Sequence, residues 1–138
     1  QRTEQVARNV DALVKMKMVT SATALFATGQ SKISAEAKQA IAGLARQASG
    51  NERYMIEVQG YTDKTGDAVT NDRLSQARAE AVARELTNEN KIPVRNISMI
   101  GSGYANPVGD DKTRDGRQQN RRVELRLFVP EATSAAGR

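Results

Sequence analysis

Between Tyr54 and Leu86 the chain changes its hydrophobic period within the length of one turn. Tyr54, Ile56 and Val58 alternate with Met55, Glu57 and Gln59, the pattern of a strand with one face against a core. Thr65-Gly66-Asp67 supplies a turn, and Leu74, Ala77, Ala81, Val82 and Leu86 then recur at helical spacing. A strand feeding a helix in this way lays the helix back over its own sheet. The next strand then runs parallel to the first wherever the two are neighbours. Few folds satisfy that constraint in a chain of 138 residues, which is about one domain and enough to bury a core.

The remaining segments extend the same logic. Val19 to Phe26 is rich in Thr, Val, Leu and Phe and reads as a first strand, broken by Ala27-Thr28-Gly29-Gln30. Ser34 suits an N-cap, Ala37, Ile41, Leu44 and Ala48 share a helical face, and Ser49-Gly50-Asn51 ends that helix. After the central helix, Thr87 to Asn90 frays it and Ile92-Pro93 begins the return. Ile97, Met99 and Ile100 give a short third strand that stops at Gly101 and Gly103. Tyr104 to Arg117 reads as a long polar loop. Val123, Leu125, Leu127 and Val129 then alternate with Arg122, Glu124, Arg126 and Phe128 in a closing strand over residues 121–129. The expected fold class is α/β (an α+β sandwich) in the order βαβαβ-loop-β, a mixed sheet with its helices packed on one face.

The flanks differ from this body. In residues 1–18 Val6, Val10 and Leu13 form a short apolar stripe interrupted by Lys15 and Lys17, which predicts a linker helix; residues 19–130 form the domain and 131–138 a disordered tail. The chain begins at Gln1 without a methionine or a charged segment followed by an apolar one, so a mature or excised fragment is expected. No run approaches the ~18 apolar residues of a membrane-spanning helix.

Composition removes several classes of chemistry. The chain has no cysteine and no histidine, which excludes disulfides, thiolate or imidazole metal sites and the usual Ser-His and Cys-His nucleophiles. Neither a metal nor a cofactor is expected. A carboxylate-based hydrolase stays conceivable through Glu57, Asp63 and Asp67, but nothing marks one as acid and another as base, and the expectation is a non-enzyme. The net charge of +5 suits any polyanion, yet with no Trp, three Tyr and two Phe the chain lacks the stacking platforms of a nucleic-acid binder.

Arg78 is the anomaly. It lies one turn from Leu74 and from Val82, inside the stripe that should be apolar, where a guanidinium needs carboxylate partners in place of water. The nearest by chain logic is Asp63, at the exit of the second strand. Two readings stand side by side. One is a structural Asp63 to Arg78 staple; the other is a split site whose arginine takes a carboxylate and whose aspartate takes an ammonium, as on the head group of an amino acid. Asn71, about two helical turns before Arg78, would face the same place, and Thr62 and Thr65 could add hydroxyls.

Gly60-Tyr61-Thr62-Asp63, Gly66, Asn71, Leu74-Ser75-Gln76-Ala77-Arg78-Ala79 with Val82, Gly101-Ser102-Gly103 with Pro107, Gly116-Arg117 and Asn120-Arg121-Arg122-Val123-Glu124 together resemble the OmpA-like peptidoglycan-binding domain, shared by Pal-type lipoproteins and flagellar stator proteins. The resemblance runs from about Val19 to Val129. It implies non-covalent binding of the diaminopimelate of a cell-wall stem peptide, with the family's aspartate on Asp63 and its arginine on Arg78. It also implies a periplasmic location and a parent protein in the outer membrane, and leaves a homodimer open. One wall of the pocket would be Phe26, Ala27 and Thr28, acting largely through backbone groups; the aspartate many relatives carry near Thr28 is absent here. Phe26 itself suits the core. Within the basic cluster Arg114, Arg117, Arg121, Arg122 and Arg126, one reading is solvated surface; the other has Arg117 and Asn120 buttress the pocket while the remaining arginines attract the anionic wall, and the resemblance implies that Asn120 to Val123, Arg122 included, holds the site's shape.

Overall fold

A computed structural model describes residues 15–61, 68–101, 109 and 112–131. Four strands, β1 (Met16–Leu25), β2 (Met55–Gly60), β3 (Ile97–Gly101) and β4 (Arg122–Pro130), form one sheet in the order β1-β4-β2-β3. β4 is antiparallel to both β1 and β2, and β2 is parallel to β3. The three strands that lead toward a helix or loop therefore all point the same way, with β4 inserted against them. Leu25 lies opposite Arg122, and Gly60 lies opposite both Val123 and Gly101. Everything that follows β1 and β2, and everything that precedes β4, meets at one end of the sheet.

Helices α1 (Ala35–Ser49) and α2 (Ala68–Arg84) cover one face. Ser34 caps α1 as its spacing predicts, its Oγ accepting from the Ala37 N–H at 3.1 Å. Ile41, Leu44, Ala45 and Ala48 of α1 and Ala79, Val82 and Leu86 pack on Ala24, Ile56, Val58, Val123, Leu125 and Leu127 of the sheet, all of them buried. The opposite face carries Glu57, Gln59, Glu124 and Arg126. There Arg126 donates to Glu57 at 2.7 Å, to Glu124 at 2.6 Å and to Gln59 at 3.0 Å. Burial works against the Arg126 charge, but hydrogen bonds to Tyr61 and Glu57 and the nearby charge of Glu124 outweigh it and raise its affinity for the proton.

The expected mixed sheet with helices on one face is the fold observed, with four departures. β1 starts at Met16, ahead of the expected Val19, and register shifts between Met18 and Thr20 as a bulge lets Val19 slip out of the pairing. The linker helix expected up to residue 18 thus gives way to strand at Met16; residues 1–14 and 132–138 lie outside the described residues. The segment read as a polar loop to Arg117 ends in a helix, α3 (Arg114–Asn120), capped by Thr113, whose Oγ1 accepts from the Gly116 N–H at 2.9 Å. Gly116 argued for a loop, but it is buried against Gly109, where an added Cβ would stand 2.7 Å from the Gly116 Cα. Finally, α2 runs on into a π-helical turn, Glu85–Glu89, closed by Ile92 donating to the Leu86 carbonyl at 3.0 Å and by Lys91 at φ 59°.

Candidate functional site

The buried stripe of α2 is Asn71, Ser75, Arg78, Ala79 and Val82, continued by Leu86 of the π-helical turn. Its second half is ordinary core. Its first half is polar, and it is this half that reaches the end of the sheet where the strand exits converge. Leu74, Ala77 and Ala81, expected in the stripe, are only half-buried and flank it. The helix comes so near that a Cβ on Gly60 would stand 3.0 Å from the carbonyl carbon of Ser75, so Gly60 and the fully buried Ser75 form a close backbone contact between β2 and α2.

Arg78 is fully buried. Its Nε donates to the Gln30 carbonyl at 2.8 Å and one Nη donates to the Ala27 carbonyl at 3.1 Å, while the guanidinium lies 5.4 Å from the centre of the Phe26 ring. The guanidinium was expected to require carboxylates. Among the described residues it donates to these backbone carbonyls of the loop after β1, which accept from the buried cation, while the expected carboxylate partner, Asp63, lies outside the described residues. Phe26 is buried in the core cluster, as expected, and also floors the arginine. Its ring thus faces a protein cation.

The loop after β1 is held from the other side by the α3–β4 junction. The Phe26 N–H donates to the Arg121 carbonyl at 2.8 Å. The Phe26 carbonyl accepts from Arg121 Nε at 3.1 Å and from Gln118 Nε2 at 3.1 Å, and Arg121 donates in turn to Gln118 Oε1 at 2.8 Å. Gln30 closes a turn by donating to the Ala27 carbonyl at 3.1 Å, with Gly29 at φ 67°, a conformation glycine adopts without strain. Ala27, Thr28 and Gly29 are exposed, and their N–H groups donate to no acceptor among the described residues.

The next residue of β4 braces the second exit. The Tyr61 N–H donates to the Arg122 carbonyl at 2.7 Å, and the Arg122 guanidinium lies 3.9 Å from the centre of the Tyr61 ring while its Nε pairs with Glu124 at 2.7 Å. Consecutive carbonyls, Arg121 and Arg122, thus tie the first residue after β1 and the first after β2. Asn120, fully buried, grips Gly109 by both polar groups, donating to its carbonyl at 3.0 Å and accepting its N–H at 2.7 Å.

The sequence-derived candidates divide accordingly. Arg78, Asn71, Phe26, Ala27 and Thr28 come together at one end of the sheet; Asn120 and Arg122 brace it from β4 and α3. Arg117, half-buried, lies on α3 beside them. Thr62, Asp63 and Thr65 lie outside the described residues. The solvated reading of the basic cluster holds for Arg114, which is exposed, and fails for Arg121 and Arg122, which are buried because their side chains serve the loops. Gln118 is not among the sequence-derived candidates; Arg121 enters only within the basic cluster and the Asn120 to Val123 element, and its place directly before an alternating strand, where two successive arginines cannot both face water, is the signal that singles it out.

A sequence profile of the OmpA family matches residues 25–121. The chain is 38% identical over 98 residues to outer membrane protein Omp38 of Acinetobacter baumannii, a match covering 71% of this chain and 28% of that protein. It is 34% identical over 105 residues to the outer-membrane lipoprotein YfiB of Pseudomonas aeruginosa, covering 76% of this chain and 62% of that one. The chain therefore matches less than two thirds of the length of either relative. Among solved structures, the peptidoglycan-associated lipoprotein from Burkholderia pseudomallei superposes with a TM-score of 0.72 at 24% identity, over 77% of this chain and 89% of that one. The C-terminal domain of Helicobacter pylori MotB gives a TM-score of 0.71 at 22% identity, over 86% of this chain and 91% of that one. At these identities the likeness is one of fold.

Proposed function

The chain belongs to the OmpA family, and from that premise we propose that this domain binds peptidoglycan without covalent chemistry, through the diaminopimelate of the stem peptide, and so tethers an envelope protein to the cell wall. The observation that carries the reading is Arg78: a fully buried guanidinium at the meeting point of the strand exits, turned onto the loop after β1. A guanidinium buried at this end of the sheet, among inward-turned carbonyls, is a cation placed where a ligand carboxylate could pair with it.

In this reading the ligand carboxylate pairs with Arg78 and its ammonium with Asp63, with Asn71, Thr62 and Thr65 as flanking hydrogen-bond partners and the exposed N–H groups of Ala27 and Thr28 as the adjoining wall. Because Arg78 has no exposed surface, the carboxylate does not simply settle on it but replaces a group now packed there. What favours the exchange is the two-pronged fit and opposite charge of a carboxylate on a guanidinium, which a neutral carbonyl does not offer. The Ala27 to Gln30 turn, exposed and held to the protein at its carbonyls, is the element free to yield. Each charge-assisted contact is worth about 1.5–3 kcal/mol net, which leaves a single head group weakly bound after the cost of association. Retention on the wall then comes from many copies meeting a repeating polymer.

The relatives' names place those proteins in the outer membrane or among its lipoproteins. By extension this domain works in the periplasm, and the residues before β1, which begins at Met16, link it to the rest of a membrane-anchored protein. The reading is tested by co-sedimentation with purified sacculi. Binding that is competed by a diaminopimelate-containing peptide but not by its lysine counterpart, with no soluble fragments released over hours, is the expected result. Competition by both peptides alike sinks the diaminopimelate assignment, and release of fragments would mark a hydrolase.

A further inference from the structure

We propose that Gln118 and Arg121 are positioning residues for the ligand-facing wall: together they fix the Phe26 carbonyl and make Phe26 the hinge on which the Ala27 to Gln30 turn is set. The inference rests on the binding reading above for the identity of the ligand, but its geometry stands on contacts within the chain.

Phe26 is held at every polar group it has. Its N–H goes to the Arg121 carbonyl at 2.8 Å, and its carbonyl accepts two donors, Arg121 Nε and Gln118 Nε2, each at 3.1 Å. The two donors are themselves locked together, Arg121 giving a further N–H to Gln118 Oε1 at 2.8 Å. Gln118 is thus oriented without ambiguity: its oxygen faces Arg121 and its nitrogen faces the loop. Arg121 is 6% exposed, too buried to serve as an outlying charge. An acceptor gripped by a buried arginine and a half-buried glutamine is more than a strand end needs, since β1 is already paired with β4 along its length.

Immediately beyond this fixed point the chain changes character. Ala27 through Gln30 is exposed, and its attachments are the carbonyls of Ala27 and Gln30 on Arg78 and the short turn between those residues. A rigid residue followed by a yielding turn is the arrangement of a hinge, and the group on which the turn rests is the arginine that the ligand carboxylate would claim. When a carboxylate displaces a carbonyl from Arg78, the latch at Phe26 determines where the displaced turn goes and keeps its free N–H groups beside the pocket. Without the latch, part of the binding energy is spent ordering the wall.

The test separates position from stability. In Gln118→Glu the Arg121 partner is kept and becomes an ion pair, so folding is supported, but the donor to Phe26 is lost and a carboxylate is set against its carbonyl. Tm is measured by calorimetry, ¹H–¹⁵N shifts of residues 27–30 by NMR, and affinity for a diaminopimelate-containing stem peptide by titration; Gln118→Ala serves as a second variant. The expected result is a Tm within a few degrees of wild type, shifted amides across Ala27 to Gln30, and affinity reduced about threefold to tenfold. Gln118→Ala should show the same loss to a smaller degree. Unchanged amide shifts in both variants, or shifted amides with unchanged affinity, overturn the inference. If wild type itself fails to bind the peptide, the ligand assignment falls, and the amide shifts alone still decide whether Gln118 sets the wall.

Discussion

Arg78→Lys keeps a cation in place while removing the fork that lets one side chain serve two carbonyls. Lysine ends in a single nitrogen and reaches either Gln30, whose carbonyl now lies 2.8 Å from Nε, or Ala27, at 3.1 Å from an Nη. Turned to Gln30, the lysine leaves the Ala27 carbonyl with only the Gln30 N–H, and turned to Ala27 it strips the Gln30 carbonyl of this donor; the lost charged contact costs about 1–3 kcal/mol. The contact of the guanidinium with the Phe26 ring, now 5.4 Å from its centre, is also weakened, by roughly 0.5–1 kcal/mol. The sum is about 1.5–4 kcal/mol, which for a domain of this size lowers Tm by roughly 5–15 °C. Affinity for the stem peptide should fall about tenfold, the loss of one charge-assisted contact. Urea unfolding followed by circular dichroism gives the first number and peptide titration the second. A variant that melts within two or three degrees of wild type and binds as tightly refutes both the role of the carbonyl contacts and the assignment of Arg78 to the carboxylate. A variant that is destabilised as expected but binds normally leaves Arg78 a structural staple.

Further expectations follow from single contacts. Asn120→Ala strips Gly109 of both its partners at a buried position and should cost roughly 2–4 kcal/mol, seen as a fall in the denaturation midpoint with little change in m-value. Lys91→Gly relieves a left-handed residue at φ 59° and should stabilise the fold by about 0.5–1 kcal/mol, read in the same assay. Gly60→Ala forces β2 and α2 apart at Ser75 and should cost at least about 1–3 kcal/mol, with the largest amide shifts along α2.

The sheet was legible because its signals are local. The alternation of β2 and β4 and the helical periodicity of α1 each arise from a single face against a core, and the crossover rule then sets β2 parallel to β3. What the sequence did not disclose depends on contacts between distant segments. α3 escaped because Gly116 reads as a breaker, and its helix is justified only by the fit against Gly109. The true buried stripe of α2 runs through Asn71, Ser75 and Arg78, whereas the apolar residues Leu74, Ala77 and Ala81 drew the eye to one side of it. Ser75 belongs inside because Gly60 leaves room for it, a relation between residues fifteen positions apart. Arg78 was recognisable as a charge on the buried face of its helix. Its partners in the loop after β1 were not, because backbone carbonyls have no sequence signature. What Gln118 and Arg121 hold was hidden for the same reason: it is the main chain of Phe26.

The central claim is that Arg78 and Asp63 divide a zwitterion between them. Titration of ¹⁵N-labelled wild type, Asp63→Ala and Arg78→Ala with a diaminopimelate-containing stem peptide, each variant first shown to be folded, tests it most directly. Saturable shifts in wild type centred on α2 and the loop after β1, and their loss in both variants, are the predicted result. Folded variants that bind as wild type does would contradict it.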